Sequence, residues 1–120
     1  MKRVLAVGLV MLFASLPVAA AWQYSFRGNT LAEYMREYDK ANRGDSNVNW
    51  GKAWAFRGYV LGVFDIGNDA LFCPSAPIPA EQTQAIVARY IAENPARWAE
   101  PASELVVDAL AQAFPCKKSR

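Results

Sequence analysis

Side chains that could carry out chemistry are few in this sequence. It contains no histidine, which excludes Ser-His-Asp triads, Cys-His pairs and histidine-based metal sites. Asp65 and Asp69 lie four residues apart, which places both carboxylates on one helix face, where they could act as acid and base or hold a metal. The alternative is a pair of solvated carboxylates, or partners for Arg57. We therefore expect no enzymatic activity, no metal site and no cofactor.

The first 21 residues have the pattern of a secretory signal peptide. Lys2 and Arg3 form a basic start, residues 4–16 form an apolar core that Pro17 ends, and residues 19–21 offer a small-residue cleavage site. We expect removal of residues 1–21, which leaves an exported domain of residues 22–120. An uncleaved anchor is the alternative, but the apolar core is short for a membrane span.

Loss of the leader makes the chain electrically neutral. Without Lys2 and Arg3, eleven basic residues face eleven acidic ones, and no cluster of basic residues remains apart from the end of the chain. A neutral domain without a basic patch is not expected to bind nucleic acid. After signal cleavage we also expect no membrane partner.

The two cysteines, Cys73 and Cys116, are expected to form a disulfide. An even cysteine count in an exported protein indicates pairing. Closing a loop of 43 residues is worth about 4 kcal/mol in the chain-entropy model. A nucleophilic cysteine is the alternative, but the chain has no histidine to act as its base.

The longest apolar segment after the leader runs from residue 50 to residue 74 and is rich in glycine. Small residues recur at steps of four, three and four, which places them on one stripe of a helix. They are Gly51, Ala55, Gly58 and Gly62. Because an interior glycine costs roughly 1 kcal/mol relative to alanine, we expect this stripe to pack closely against another helix of the bundle. A transmembrane span is the alternative, but charged residues interrupt the apolar run.

Caps, prolines and helical spacing predict four helices joined by short connections. The predicted ranges are about 30–42, 47–66, 79–94 and 101–115. A capping box at residues 30–33 is expected to start the first helix, and Gly44 to end it. Pro79 and Pro101 are expected to open the last two. The predicted fold class is an all-α four-helix domain stapled by one disulfide.

Residues 94–101 form a connector between the third and fourth helices, with a proline near each end. Trp98 lies at its centre, with Arg97 and Glu100 beside it. Tryptophan and arginine are over-represented at interface hot spots, so these three residues are candidate partner-binding residues. The alternative is that Trp98 folds back onto the helix junction. Other aromatic residues are expected in the core rather than in a binding box: Tyr34, Tyr38, Trp50, Trp54 and Tyr59.

Several stretches resemble the Rap/Tai family of type VI secretion immunity proteins. They are Arg57–Val63 with Phe72-Cys73-Pro74, then Arg89–Pro95, then Ala102–Cys116 with its terminal Phe-Pro-Cys. The resemblance implies a periplasmic, all-helical and often dimeric protein. Such proteins bind and block a peptidoglycan amidase effector delivered by neighbouring bacteria.

One departure from the family concerns cysteine. Members often carry a second pair, with one cysteine in the first helix and the other two residues before the Gly-Tyr of the second helix. Phe56 occupies the latter position here, and the first helix has no cysteine. A small periplasmic chaperone, activated when carboxylates become protonated, is the alternative class. An exported amidase encoded by the neighbouring gene would favour the immunity interpretation.

Overall fold

The first helix extends two residues beyond its predicted start. A computed structural model describes residues 26–118, and the signal peptide, the expected start at Trp22 and the last two residues lie outside this range. α1 spans Gly28–Arg43 and has no side-chain cap. Instead, the N–H groups of Gly28 and Asn29 donate to the connector carbonyls of Glu100 and Trp98, at 2.9 and 2.7 Å. The predicted capping box is therefore wrong, because tertiary partners satisfy the free N–H groups.

The predicted end of α1 is confirmed. Gly44 follows the helix with a φ of 76°, a left-handed conformation that glycine adopts without a steric penalty. Its N–H group donates to the carbonyl of Ala41 at 3.1 Å. The buried residues of α1 recur with helical spacing and define its inner stripe: Leu31, Ala32, Met35 and Tyr38.

α2 spans Trp50–Gly67 and begins three residues later than predicted. The side chain of Asn49 caps it by accepting the N–H of Lys52 at 3.1 Å. Ala53, Phe56 and Val60 form its buried side, and α2 packs against each of the other three helices. α2 therefore contacts the core through one side and does not lie at the centre of the bundle.

The predicted packing of the glycine stripe is wrong within this chain. All four of its residues, Gly51, Ala55, Gly58 and Gly62, are exposed. A Cβ atom built on Gly58 or Gly62 would meet nothing within 4 Å. The physical reason is that the stripe lies opposite the large side chains of Phe56 and Val60, which fill the core.

Close backbone approach occurs at two other glycines. A Cβ atom on Gly28 would lie 2.4 Å from the Leu105 side chain and 2.9 Å from the Trp98 backbone. A Cβ atom on Gly67 would lie 2.6 Å from the ring of Phe72. These two positions, rather than the stripe, are where the fold itself requires glycine.

The second half of the chain follows its predicted boundaries closely. α3 spans Ala80–Glu93, a 3₁₀ turn covers Pro95–Arg97, and α4 spans Ala102–Ala113. Val87 and Ile91 of α3 and Leu105, Val106 and Leu110 of α4 are fully buried, and they recur with helical spacing. No strand occurs within residues 26–118, so the all-α fold is confirmed.

The disulfide between Cys73 and Cys116 is also confirmed. Their Cα atoms are 4.7 Å apart, within the usual range for a disulfide. Beside it, the N–H of Cys73 donates to the carbonyl of Phe114 at 2.8 Å. The bond thereby joins the segment after α2 to the segment after α4.

Candidate functional site

The connector, residues 94–101, is held against the start of α1 by its main chain. Besides the two bonds from Gly28 and Asn29, the N–H of Ala102 donates to the carbonyl of Phe26 at 3.1 Å. Arg27 and Pro101 form an antiparallel bridge, and the Arg27 side chain donates to the Ala99 carbonyl at 2.9 Å. These bonds hold the connector in one conformation against the start of α1.

Trp98 does not project from this segment. Its indole N–H donates to the carbonyl of Ile91 at 2.9 Å, and its half-buried ring packs against the core. The guanidinium of Arg36 lies 5.9 Å from the ring centroid, where a cation–π contact is favourable. Trp98 thus adopts the folded-back alternative, in which it supports the connector from beneath.

Arg97 links the connector to both of the helices that it joins. Its guanidinium forms ion pairs with Glu100 at 2.5 Å and with Asp108 of α4 at 2.7 Å, and donates to the hydroxyl of Tyr90 in α3. Hydrogen bonding to Glu100, and then to Asp108, raises the pKa of Arg97. The same bond from Arg97 lowers the pKa of Glu100. Arg97 and Glu100 therefore stay ionised at neutral pH and fix the conformation of the connector.

The outward surface of the connector is formed by small residues. Pro95, Ala96 and Ala99 are exposed, whereas Arg97 and Glu100 are only partly accessible at its edge. The large and charged residues are the binding candidates that the sequence indicates, but in the structure Trp98 and Arg97 make supporting contacts. Nothing in the sequence marks Ala96 and Ala99 as exposed or as candidates for a partner contact.

A second exposed surface, which was not predicted from the sequence, lies on α2. We call it the α2 face, and it consists of the glycine stripe with three large apolar side chains. These are Trp50, Trp54 and Ile66, with exposed fractions of 55%, 60% and 84%. The expectation that both tryptophans belong to the core is therefore wrong, although Tyr38 is buried and Tyr34 and Tyr59 pack against the core. The signal in the sequence is that α2 is apolar on every side, so one apolar side must face outward.

Part of the α2 face is fixed by a cation–π contact. The guanidinium of Arg57 lies 5.0 Å from the ring centroid of Trp54 and 5.4 Å from that of Tyr38. It also donates to the side-chain oxygen of Asn42 in α1 at 3.2 Å. Arg57 therefore joins Trp54 to α1, and the indole is presented to solvent in a defined orientation.

The described residues offer no catalytic arrangement. Asp65 and Asp69 are exposed, and no group of three potential metal ligands occurs within residues 26–118. None of the helices described here has the length and apolar character needed to span a membrane. What the two surfaces offer is shape and apolar contact, which suits recognition of another protein.

Comparison with known families decides the class of protein. A family model of the Rap1a immunity proteins matches residues 27–116, which extends from the bridge at Arg27 to the second cysteine of the disulfide. The chain belongs to the Rap1a immunity protein family. As a Rap1a immunity protein it belongs to a class that binds cognate effectors and is in general not catalytic. No curated protein matches the chain.

The α1–α2 contact bears on the missing second cysteine pair of this Rap1a protein. Phe56 is fully buried, and its ring centroid lies 4.8 Å from that of Tyr38 in α1. An aromatic contact therefore joins the two helices that a second disulfide would link in other members. Aromatic pairs of this kind contribute about 0.5–1.5 kcal/mol beyond the area they bury.

Proposed function

We propose that this Rap1a protein acts in the periplasm, where it binds a peptidoglycan amidase delivered by type VI secretion and occludes its cleft. The family match over residues 27–116 is the observation that carries the proposal. The signal-peptide pattern of residues 1–21 supports the location. The protein itself catalyses nothing, in keeping with a sequence without histidine.

The connector is our candidate for the occluding segment. An inserted segment binds most tightly when it is already ordered in the free protein, because little conformational entropy is then lost on binding. The connector meets this requirement through its main-chain bonds to α1 and the ion pairs of Arg97. In this proposal Ala96 and Ala99 contact the amidase, Arg97 and Glu100 border the contact, and Trp98 supports it from beneath.

A pair of matched substitutions tests this assignment. Ala96→Arg adds a long charged side chain to the exposed surface of the connector, whereas Ala85→Arg adds the same side chain to an exposed position on α3. Both should fold with nearly unchanged melting temperatures, since surface substitutions usually change stability by less than about 0.5 kcal/mol. Only Ala96→Arg should weaken co-purification with the amidase encoded by the neighbouring gene.

Two outcomes would count against the proposal. If wild-type protein neither binds that amidase nor protects cells against it, the amidase is not the target. If both arginine variants bind like the wild type, the amidase contact lies outside the connector.

We also propose that the protein forms a homodimer. The family resemblance implies this state, and the exposed apolar side chains of α2 provide support for it. Monomeric proteins rarely leave contiguous apolar patches larger than a few hundred Å² exposed.

A further inference from the structure

The α2 face remains without a partner after the amidase contact is assigned to the connector. Two of its glycines, Gly58 and Gly62, lie in the interior of a helix and contact nothing in their own chain within 4 Å of an added Cβ. Exposed Trp50 and Trp54 precede them along the helix, and exposed Ile66 follows them. The combination needs an explanation, since the fold would be more stable with alanine at both glycine positions.

We propose that the α2 face binds the α2 face of a second copy, with the two helices antiparallel and a two-fold axis beside Gly58. The inference deepens the homodimer part of the proposed function by naming its interface, and it does not depend on the identity of the effector. An interface of this kind must be self-complementary, because each residue meets its symmetry-related counterpart.

The spacing of large and small residues on the α2 face is self-complementary about Gly58. Trp54 lies four residues before Gly58 and Gly62 lies four residues after it. In an antiparallel pair centred on Gly58, the indole of Trp54 therefore lies level with the space above Gly62 of the other copy. Trp50 and Ile66, eight residues to either side, come level in the same way. At 1.5 Å per residue, these contacts extend about 12 Å from the axis in each direction.

The charged residues of α2 interact unfavourably with the macrodipole of their own helix and favourably with that of an antiparallel partner. Its first turn contains Lys52 and no acidic residue, and its last turn contains Asp65 and no basic residue. This is the unfavourable arrangement for a helix macrodipole. In the proposed pair, Asp65 lies level with Gly51 of the second copy. The carboxylate thereby approaches the positive end of the partner's macrodipole.

The exposed area indicates a dimer of modest affinity. A tryptophan side chain offers about 150–250 Å² of surface. The exposed parts of Trp50, Trp54 and Ile66 therefore offer roughly 400 Å² per copy, about half of what a standard interface buries on each partner. The glycine stripe adds the backbone surface between them. We expect a dimer that forms and dissociates in the micromolar range.

Sedimentation of the mature protein over a range of concentrations is the first test. Wild type should change from monomer to dimer as its concentration rises to roughly 100 µM, as expected for an interface of this size. Gly58→Leu places a side chain at the axis and should raise the dissociation constant roughly ten- to a hundredfold. Ala85→Leu, at an exposed position on α3, is the matched control and should leave the constant unchanged.

Cysteine cross-linking tests the register. Gly58→Cys should form a covalent dimer on mild oxidation, because the two Gly58 positions meet at the axis. Gly62→Cys should not, because its two copies lie about 12 Å apart along the helices, beyond the ~7 Å that a disulfide can bridge. Peptide mapping would verify that the Cys73–Cys116 bond is intact in both variants.

The results separate this inference from the immunity function. A wild-type protein that stays monomeric at roughly 100 µM would overturn it, as would a dimer that is indifferent to Gly58→Leu. A Gly58→Leu variant that dimerises like wild type but no longer inhibits the amidase would also overturn it, by giving the α2 face to the effector. A Gly58→Leu monomer that still inhibits the amidase would support both the dimer interface and the connector contact.

Discussion

The same substitution at two glycines should change stability in opposite directions. Gly58→Ala adds a methyl group to an exposed helix position where nothing lies within 4 Å. It should stabilise the domain by about 0.5–1 kcal/mol, because alanine loses less backbone entropy in a helix. Gly28→Ala adds the methyl group where Leu105 and the Trp98 backbone already lie.

The cost at Gly28 follows from those contacts. The built Cβ atom lies 2.9 Å from the backbone of Trp98, which cannot move without breaking the bond between the Asn29 N–H and the Trp98 carbonyl. Overpacking of this kind costs about 1–3 kcal/mol, and the shift would also strain the connector. The expected difference between the two variants is therefore about 1.5–4 kcal/mol.

Thermal unfolding of the mature protein, at concentrations where wild type is monomeric, measures this difference. Since 1 kcal/mol shifts the melting temperature by about 4–8 °C in a domain of this size, the two variants should differ by at least about 6 °C. A Gly58→Ala variant less stable than wild type would refute the exposure of the stripe. A fully stable Gly28→Ala variant would refute the close packing of α1 on the connector.

Three further predictions concern the disulfide, Trp98 and pH. Replacing Cys73 and Cys116 together by serine should destabilise the domain by about 4 kcal/mol, measured by denaturant unfolding, and an unchanged midpoint would contradict the role of the bond. Trp98→Ala should lower the stability by roughly 2–4 kcal/mol, because the half-buried ring supports the connector. An unchanged melting temperature would show that the ring contributes nothing to the packing of the connector. The hydrogen bond from Arg97 lowers the pKa of Glu100 in the folded protein. The ion pair therefore contributes its full stabilisation above the unfolded pKa of about 4.3, and this contribution is lost as the pH falls through the folded pKa. Glu100→Gln should therefore be less stable at pH 7 and lose less stability between pH 5 and about pH 3, and parallel profiles would refute the ion pair.

The helix boundaries could be predicted where local backbone chemistry sets them. Gly44 ends α1 because glycine accepts a positive φ, and Pro79 and Pro101 immediately precede α3 and α4. The start of α1 could not be predicted in this way. Its free N–H groups bind connector carbonyls some seventy residues away, and no local pattern reports that contact.

The side of α2 that faces the core was equally hard to predict. Periodicity identifies a buried face by contrast with a polar one, and α2 has little contrast because it is apolar all round. The spacing of Gly58 and Gly62 indicates close approach but does not state whether the partner is in the same chain. Trp98 presents the same difficulty, since an aromatic residue between two prolines can project or fold back. Trp98 folds back because its indole N–H donates to the carbonyl of Ile91, a contact that the sequence does not reveal.

Titration of an amidase with this protein tests the central claim most directly. The enzyme encoded beside the gene would hydrolyse purified peptidoglycan while increasing amounts of the mature protein are added. An occluding immunity protein should abolish hydrolysis at one subunit per enzyme, and Ala96→Arg should require a large excess. Full hydrolysis in the presence of excess wild-type protein would contradict the account.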